Sequence, residues 1–297
     1  MEKLTDDQLW VWNRWPDLQK HFPDVTINKD SLIGYLEWWR VYFPNEMGAR
    51  LYKPALQTSR DNFLIIPGDR LRALVVTPTT KNYDYCWDQY WNALQEMEGN
   101  FDILIIENSD TPDYYEELCK RVQTTRHITT VKYWHNPKFD GVGFQQSQEK
   151  LTEVHNCARD IFLGGFYSHY FSIESDAVVE KYALRKLLRA RKPVVLAPIE
   201  RDGQILAGMF TNYPNSRDMT VHILSKKEIE TNPLQQIDWG SIACCLGERH
   251  VVERIEWRYN PQSSQHDDIF FAVDCKNNGI PVFLSSEVKV NHLKRKV

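Results

Sequence analysis

The chain has 297 residues, 42% hydrophobic and 26% charged, which is enough apolar surface for one large or two modest globular domains. A formal net charge of −4 gives no general electrostatic reason to bind nucleic acid or an anionic membrane. The six cysteines form no CxxC pair, no disulfide framework and no zinc pattern. No apolar run reaches the length of a membrane span, and the charged N-terminus lacks the apolar stretch of a signal peptide, so we expect a soluble cytoplasmic protein.

Residues 1–70 differ in composition from the rest of the chain. Five of the ten tryptophans fall here, among short helical patterns that prolines interrupt. The segment 31–43 places apolar residues at helical spacing, which favours packing on the following domain, although aromatic rings also stack on sugars. The sequence therefore predicts a helical, aromatic-rich N-terminal extension over 1–70 and a catalytic domain over 71–297.

From residue 71, short apolar runs alternate with helical periodicity, a pattern typical of α/β units with a mostly parallel sheet. The predicted strands are 72–76, 101–106, 127–133, 167–173, 193–199, 204–210 and 218–224. The predicted helices are 83–97, 112–122, 145–163, 179–189 and 269–277. The expected fold class is an α/β, Rossmann-like domain with a mostly parallel sheet flanked by helices.

Acidic residues follow several of these apolar runs. Glu174 and Asp176 come directly after one strand, at the edge where open α/β sheets bind ligands. Spaced two apart in extended chain, they point the same way, and carboxylate oxygens suit a divalent cation that bridges two phosphates. His292 can add an imidazole ligand, which points to Mn²⁺ or Mg²⁺, and Asp267 or Asp268 is placed to deprotonate an acceptor hydroxyl. Each acid also has a structural alternative as a turn or helix-capping residue, and His292 as a surface histidine.

In this order the motifs resemble those of GT-A fold glycosyltransferases, most nearly the family-2-like group, over about residues 71–293. LVVTPT is similar to the family's first strand and nucleotide-binding turn, and IIENSD stands where an Asp-Asp-Gly-Ser run is usual. A helix with Asn156 and Arg159 leads into IESD, which resembles the Asp-x-Asp motif. HDDIFF is similar to the Glu-Asp element that carries the base of inverting members.

The resemblance implies a metal-dependent hexosyl transfer from a nucleotide-diphosphate sugar, with inversion, and the residue roles of the family fall on matching positions of this chain. It implies a catalytic base at Asp268, with Asp267 second, and metal ligands at Asp176, His292 and Glu174. The implied nucleotide-sugar-binding residues are Thr77, Pro78, Thr79, Glu107, Asn108, Arg159, Glu174 and Ser175. Trp239 and Gly240 match the acceptor region. Asn108 replaces an acid and Glu174 replaces an aspartate, so the pattern does not specify the base of a UDP- or GDP-sugar donor.

Two other functions remain open at this stage. A nucleotidyltransferase that makes nucleotide sugars shares the fold class, but its first loop is usually glycine-rich and basic, whereas TPTTKNYDYCW has one lysine and no glycine. A catalytically silent, GT-A-like binding module is the second alternative, because a fold does not fix a function. The presence of Asp176, Asp268 and His292 together favours an active enzyme with an unknown acceptor.

Overall fold

The computed structural model describes residues 71–122, 125, 127–141, 144–211, 221–262 and 266–294. The predicted N-terminal extension, 1–70, lies outside the described residues. Among the helices described, none has both the length and the apolar character that crossing a membrane requires.

The described elements alternate between strands and helices. The strands are β1 Ala73–Thr79, β2 Phe101–Glu107, β3 Thr129–Tyr133, β4 His169–Ile173, β5 Ala177–Val179, β6 Val194–Leu196, β7 Glu200–Arg201, β8 Gln204–Ile205, β9 Ala207–Phe210, β10 Val221–Ile223, β11 Leu234–Ile237, β12 Trp239–Gly240, β13 Cys244–Glu248, β14 Val282–Ser285 and β15 Val290–His292. The α-helices are α1 Asp84–Glu96, α2 Asp113–Arg121, α3 Phe144–Gly164, α4 Ala183–Arg189, α5 Lys226–Thr231, α6 Arg249–Arg254 and α7 Asp267–Asn277.

One large sheet organises the described part of the chain, in the order β11-β14-β6-β13-β4-β1-β2-β3. The pairs β1–β2, β1–β4, β2–β3 and β6–β14 are parallel. β13 runs antiparallel to both of its neighbours, β4 and β6, and β11 runs antiparallel to β14. Because β1, β2 and β4 are parallel, their carboxyl ends lie at one edge of the sheet, where ligands of open α/β sheets bind.

Helices cover both faces of this sheet. Strand residues of one parity, such as Val75 and Ile105, pack with side chains of α1, α2 and α4. Residues of the other parity, such as Val76 and Ile106, pack with α3, α6 and α7. This alternation follows from the two-residue period of a strand, and a strand buried on both faces reads as the continuous apolar run seen in the sequence. The predicted α/β class with a mostly parallel sheet flanked by helices is confirmed.

The structure corrects the sequence at the predicted helix 179–189. Val179 belongs to strand β5, and α4 begins only at Ala183. β5 pairs antiparallel with β15, with His292 opposite Ala177. The β-branched pair Val178 and Val179 suits this strand, and its partner lies so far along the chain that no local pattern could reveal the pairing.

A short hairpin, β7 and β8, follows β6. Its turn contains Asp202 at φ 53° and Gly203 at φ 81°. Asparagine, aspartate and glycine are the residues that tolerate this left-handed backbone, so the two residues make a tight reversal possible. The hairpin brings Arg201 to the same edge as the carboxyl end of β4.

Candidate functional site

An open pocket of about 590 Å³ lies beyond the carboxyl end of β4. The segment after β4, the β7–β8 hairpin, the start of α1 and the end of β15 form its wall. Its lining residues are Asn82, Tyr83, Tyr85, Glu174, Asp176, Arg201, Asp202, His292, Leu293 and Lys294.

Asp176 and His292 meet in this pocket. Asp176 Oδ2 lies 3.3 Å from His292 Nε2. The β5–β15 pairing fixes this contact, together with the hydrogen bond of 2.8 Å that the Leu293 backbone N–H donates to the Asp176 carbonyl. Asp176 is 8% exposed, and its other oxygen, Oδ1, is buried without a hydrogen-bond partner among the described residues. The carboxylate raises the pKa of His292 above its usual range, because it stabilises the protonated ring.

Glu174 lies two residues before Asp176 in the same wall. Burial raises the pKa of its carboxyl to about 8, and the charges of Asp176, Asp267 and Asp268 add to the effect. The Arg201 guanidinium acts in the opposite direction. Several carboxyl groups therefore lie close enough to interact, so that the simultaneous ionisation of all of them is energetically unfavourable.

Two cationic side chains lie in the pocket wall. Lys294 Nζ is 2.5 Å from Asp202 Oδ1 in the hairpin turn. Arg201 is exposed, and the ion pair it makes within the described residues is a long contact of 3.9 Å with Asp202. The pocket thus carries Glu174 and Asp176 after β4, and two cations, Arg201 of the hairpin and Lys294 after β15, next to Asp202. Acids and cations in one wall suit a metal ion next to phosphates.

Asp267 and Asp268 form the first turn of α7. Asp267 is 8% exposed, and its Oδ2 lies 3.0 Å from Nδ1 of His155 on α3. Asp268 is partly exposed, and its Oδ1 accepts a hydrogen bond of 2.8 Å from the Ile269 backbone N–H. Burial, with the charge of Asp267 second, raises the pKa of Asp268 to about 7. A carboxyl that titrates near neutral pH matches the needs of a general base.

The carboxyl end of β1 is closed. Thr77 is fully buried and shares a hydrogen bond with the Tyr90 hydroxyl. Thr79 Oγ1 donates a hydrogen bond of 3.2 Å to Ser175 Oγ, and both residues are buried, as is Pro78. These side chains connect β1 to α1 and to the segment after β4. Their predicted contact with a nucleotide remains a prediction.

The carboxyl end of β2 carries Glu107 and Asn108, both buried. Glu107 Oε1 accepts a hydrogen bond of 2.8 Å from the Ser109 backbone N–H, and burial raises its pKa. Glu107 Oε2 and Asn108 Oδ1 have no hydrogen-bond partner in the described part of the chain. Asp110, further out, pairs with Lys150 at 2.9 Å. Glu107 and Asn108 stay predicted nucleotide-binding residues, on an edge adjacent to the pocket.

Three other predicted residues lie away from the pocket wall. Arg159 donates hydrogen bonds to the carbonyl oxygens of Val252, Glu253 and Ile255 at 2.8 to 3.1 Å, which satisfies the carboxyl end of α6. These hydrogen bonds use Nε and Nη2 of Arg159, and its role in nucleotide-sugar binding remains a prediction.

Trp239 and Gly240 form β12, which pairs with β9. A Cβ on Gly240 would come within 2.7 Å of Leu196 Cδ1, so close packing against β6 explains the glycine. Neither residue lines the pocket. Their acceptor-binding role remains a prediction.

The structure adds pocket residues that sequence reasoning missed. Tyr83 and Tyr85 stack with their ring centroids 6.4 Å apart, and burial together with the charges of Glu174 and Asp176 raises the pKa of the Tyr83 phenol. Their signal in the sequence is an aromatic pair at the start of a helix directly after a strand, which also suits core packing. Arg201 offered no such signal, because an arginine in a polar turn is common.

The side chains of the pocket supply some, but not all, of the ligands that a divalent cation requires. Within the described ranges, no group of three or more His, Cys, Asp or Glu side chains is arranged to hold a metal ion. Asp176 and His292 supply two possible ligands, and Asp176 Oδ1 is an oxygen without a hydrogen-bond donor. Mg²⁺ is commonly held by one or two protein ligands, with phosphate oxygens and water as the remainder, so the pair suits a metal that arrives with a diphosphate.

Fold and site together define an α/β protein with a polar pocket at the carboxyl ends of a mostly parallel sheet. No protein-family model matches the chain, and no curated protein matches its sequence. Among solved structures, the chain is similar to A197 from STIV, with 12% identity over 76% of this chain and 87% of that one, at a TM-score of 0.44. It is also similar to S. aureus TarS, with 13% identity over 73% of this chain, at a TM-score of 0.45.

A further TarS structure, in complex with UDP, matches with 13% identity at a TM-score of 0.44. This chain spans 35% of the first TarS chain and 58% of the UDP-bound one. These likenesses are too distant to assign a family to the chain.

Proposed function

We propose that this protein is a metal-dependent glycosyltransferase that moves a hexosyl group from a UDP- or GDP-sugar to an acceptor hydroxyl, with inversion. The observation that carries the proposal is the Asp176–His292 contact of 3.3 Å inside an open pocket that also contains Arg201 and Lys294. The chemistry of this wall suits a diphosphate better than a neutral ligand, because it combines hard oxygen ligands with cations.

The donor diphosphate would lie between the acids and the cations. Asp176 and His292 would hold Mn²⁺ or Mg²⁺, which as a Lewis acid neutralises charge on the leaving phosphate. Arg201 and Lys294 would neutralise the remaining phosphate oxygens from the hairpin side. Tyr83 and Tyr85 line the pocket with stacked rings, against which the sugar or the base would pack.

The acceptor is activated from the α7 side. In the proposed step the acceptor oxygen forms a bond to the anomeric carbon as the bond from that carbon to the diphosphate breaks. The acceptor proton passes to Asp268, whose pKa of about 7 suits a base at neutral pH. The nucleoside diphosphate leaves with the bonding electrons, and one displacement gives inversion.

The two rival functions predict different products. A nucleotidyltransferase would consume a nucleoside triphosphate and release pyrophosphate, and its basic glycine-rich loop is absent from the segment Thr80–Tyr83 after β1. A silent binding module would bind a sugar or a protein without releasing a nucleotide. The same assay therefore separates all three.

The test uses the full chain with a panel of UDP-, GDP-, dTDP- and CMP-sugars, in Mn²⁺, Mg²⁺ or EDTA. Released nucleotide and thermal stabilisation are measured together. We expect one donor to give metal-dependent release of a nucleoside diphosphate, together with a rise in Tm. Absence of release and of stabilisation with every donor, with and without metal, contradicts the proposal and favours the binding module. Pyrophosphate release from a nucleoside triphosphate favours the nucleotidyltransferase.

A further inference from the structure

A carboxylate of the hairpin turn lies against the two cations of the pocket wall. Asp202 Oδ1 is 2.5 Å from Lys294 Nζ, and its other oxygen, Oδ2, is 3.9 Å from Arg201 Nε. The two oxygens of one carboxylate therefore face two cationic side chains, as the oxygens of a phosphate group do where they bind lysine and arginine. The hydrogen bond from Lys294 holds the pKa of Asp202 below its usual range, and the charges of Arg201 and His292 add to the effect.

The backbone of the hairpin turn does not require this negative charge. Asp202 has a φ of 53°, and asparagine and glycine tolerate the same left-handed backbone as aspartate. A turn with asparagine followed by Gly203 would have the same shape without a negative group beside Lys294. The carboxylate of Asp202 therefore has an effect on the pocket that is separate from its effect on the turn.

The contact between Asp202 and Lys294 is exposed to solvent. Their side chains are 77% and 56% exposed, and the side chain of Arg201 is 64% exposed. Exposed ion pairs contribute little free energy, because water and salt screen them. A ligand that offers several phosphate oxygens can therefore displace the carboxylate from both cations, at a moderate cost in its own affinity.

We propose that Asp202 is an internal anion that competes with the phosphates of a ligand for Lys294 and Arg201, and so lowers the affinity of the pocket for them. This inference rests on the proposed function only for the identity of the ligand, the diphosphate of a nucleotide sugar. A nucleoside diphosphate product carries the same two phosphates as its donor. The competition therefore also weakens binding of the product and favours its release.

The test measures the binding of inorganic pyrophosphate to the full chain by titration calorimetry, in EDTA and at low ionic strength. Asp202→Asn keeps the size of the side chain and its suitability for the turn, and removes the charge. We expect the dissociation constant to fall by about fivefold, because the two cations lose their carboxylate partner and a nearby negative charge is gone. Asp202→Gly, a second variant that the turn accepts, should give a fall of similar size.

The matched control is Glu200→Gln in the same hairpin. Glu200 is exposed, pairs at 2.9 Å with Lys226 of α5, and does not line the pocket. This variant also removes one negative charge, and we expect its dissociation constant to stay within about twofold of the original value. In a Lys294→Gln background, the gain from Asp202→Asn should shrink to about twofold, because the cation that the carboxylate binds is missing. Near-UV circular dichroism checks that each variant is folded.

Three results would overturn the proposal. Equal gains in Asp202→Asn and Glu200→Gln would assign the effect to net charge and not to the contact with Lys294. An unchanged or weaker affinity in the Asp202 variants would make Asp202 a residue that holds Lys294 in place for the ligand. Absence of pyrophosphate binding in every protein would show that these cations do not receive phosphate.

The donor panel distinguishes failure of this proposal from failure of the proposed function. Release of a nucleoside diphosphate from a donor, without a gain in Asp202→Asn, keeps the transferase and removes the competition. A gain in Asp202→Asn, without release from any donor, keeps the competition and removes the transferase.

Discussion

Two parts of the same sheet edge, the ends of β1 and β2 and the end of β4, behave differently although all three strands run in parallel. At β1 the polar side chains are buried and bonded to other elements, Thr77 to Tyr90 of α1 and Thr79 to Ser175 after β4. At β2, Glu107 and Asn108 are also buried. At β4, Glu174 and Asp176 open into a pocket with cations opposite. A polar residue at a strand end is therefore accessible to a ligand only where the elements that cross above that end leave space.

The crossing elements explain the difference. Helix α1 begins directly above β1 and covers its end, with Cys86 Sγ donating to the Ser175 carbonyl at 3.2 Å. Above β4, the β5–β15 pair and the β7–β8 hairpin contact each other through Lys294 and Asp202, and both contribute residues to the wall of the open pocket. Charge differs as well, because Asp110 is neutralised by Lys150 whereas the acids near Glu174 repel one another.

The largest expected effect comes from Asp176→Asn, which removes the pocket carboxylate and keeps its size. We expect metal-dependent donor hydrolysis to fall by at least about 100-fold, because a group that stabilises developing charge is lost. The matched control is Asp110→Asn at the end of β2, which should leave the rate within about twofold. Equal losses in the two variants would break the distinction between the two strand ends. Nucleotide release under saturating metal is the measurement.

Arg201→Ala tests the hairpin side of the pocket. We expect the donor KM to rise by about tenfold, which corresponds to about 1.4 kcal/mol of lost interaction with phosphate. Arg185→Ala is the control, since this exposed arginine of α4 pairs with Glu98 at 2.6 Å, away from the pocket. A KM that changes in neither variant would place the diphosphate elsewhere.

A substitution at the closed end of β1 should change the stability of the protein and leave donor binding unchanged. Tyr90→Phe removes the hydroxyl that bonds to Thr77 in the core, and we expect the free energy of unfolding to fall by about 1 to 2 kcal/mol. Urea denaturation measures this, and the donor KM of the same variant should not move. A raised KM at unchanged stability would contradict the comparison and support the predicted contact between Thr77 and a nucleotide.

The smallest expected effect is a pH-dependent stabilisation in Asp268→Asn. The pKa of Asp268 is raised to about 7 in the folded chain from 3.8, so the folded state holds a proton that the unfolded state has lost. Its contribution to stability therefore decreases as pH rises from about 4 to 7 and is fully unfavourable at pH 8. We expect the variant to be more stable by about 1 kcal/mol at pH 8, with a smaller gain at pH 5, in urea denaturation. A gain that is equal at both pH values would place its origin outside this titration.

The sequence predicted five strands of the central sheet, β1, β2, β3, β4 and β6, because runs such as FDILII are buried on both faces and are therefore almost continuously apolar. It also predicted that Asp176 and His292 belong together through a family resemblance, although nothing local joins them. It missed β5 and three strands of the central sheet, β11, β13 and β14, none of which lies within a predicted strand. β5 and β13 pair antiparallel with strands that lie far away in the sequence. Arg201 was missed because its importance comes from the hairpin turn that presents it.

The β5–β15 pairing has a further consequence for truncation of the chain. The last strand of the central sheet, β14, ends at Ser285, whereas the pocket residues His292, Leu293 and Lys294 follow it in the sequence. A chain truncated after Lys289 would keep all eight strands of the central sheet and lose one side of the pocket. The strands that build the sheet and the segment that completes the pocket are therefore separate stretches of the sequence.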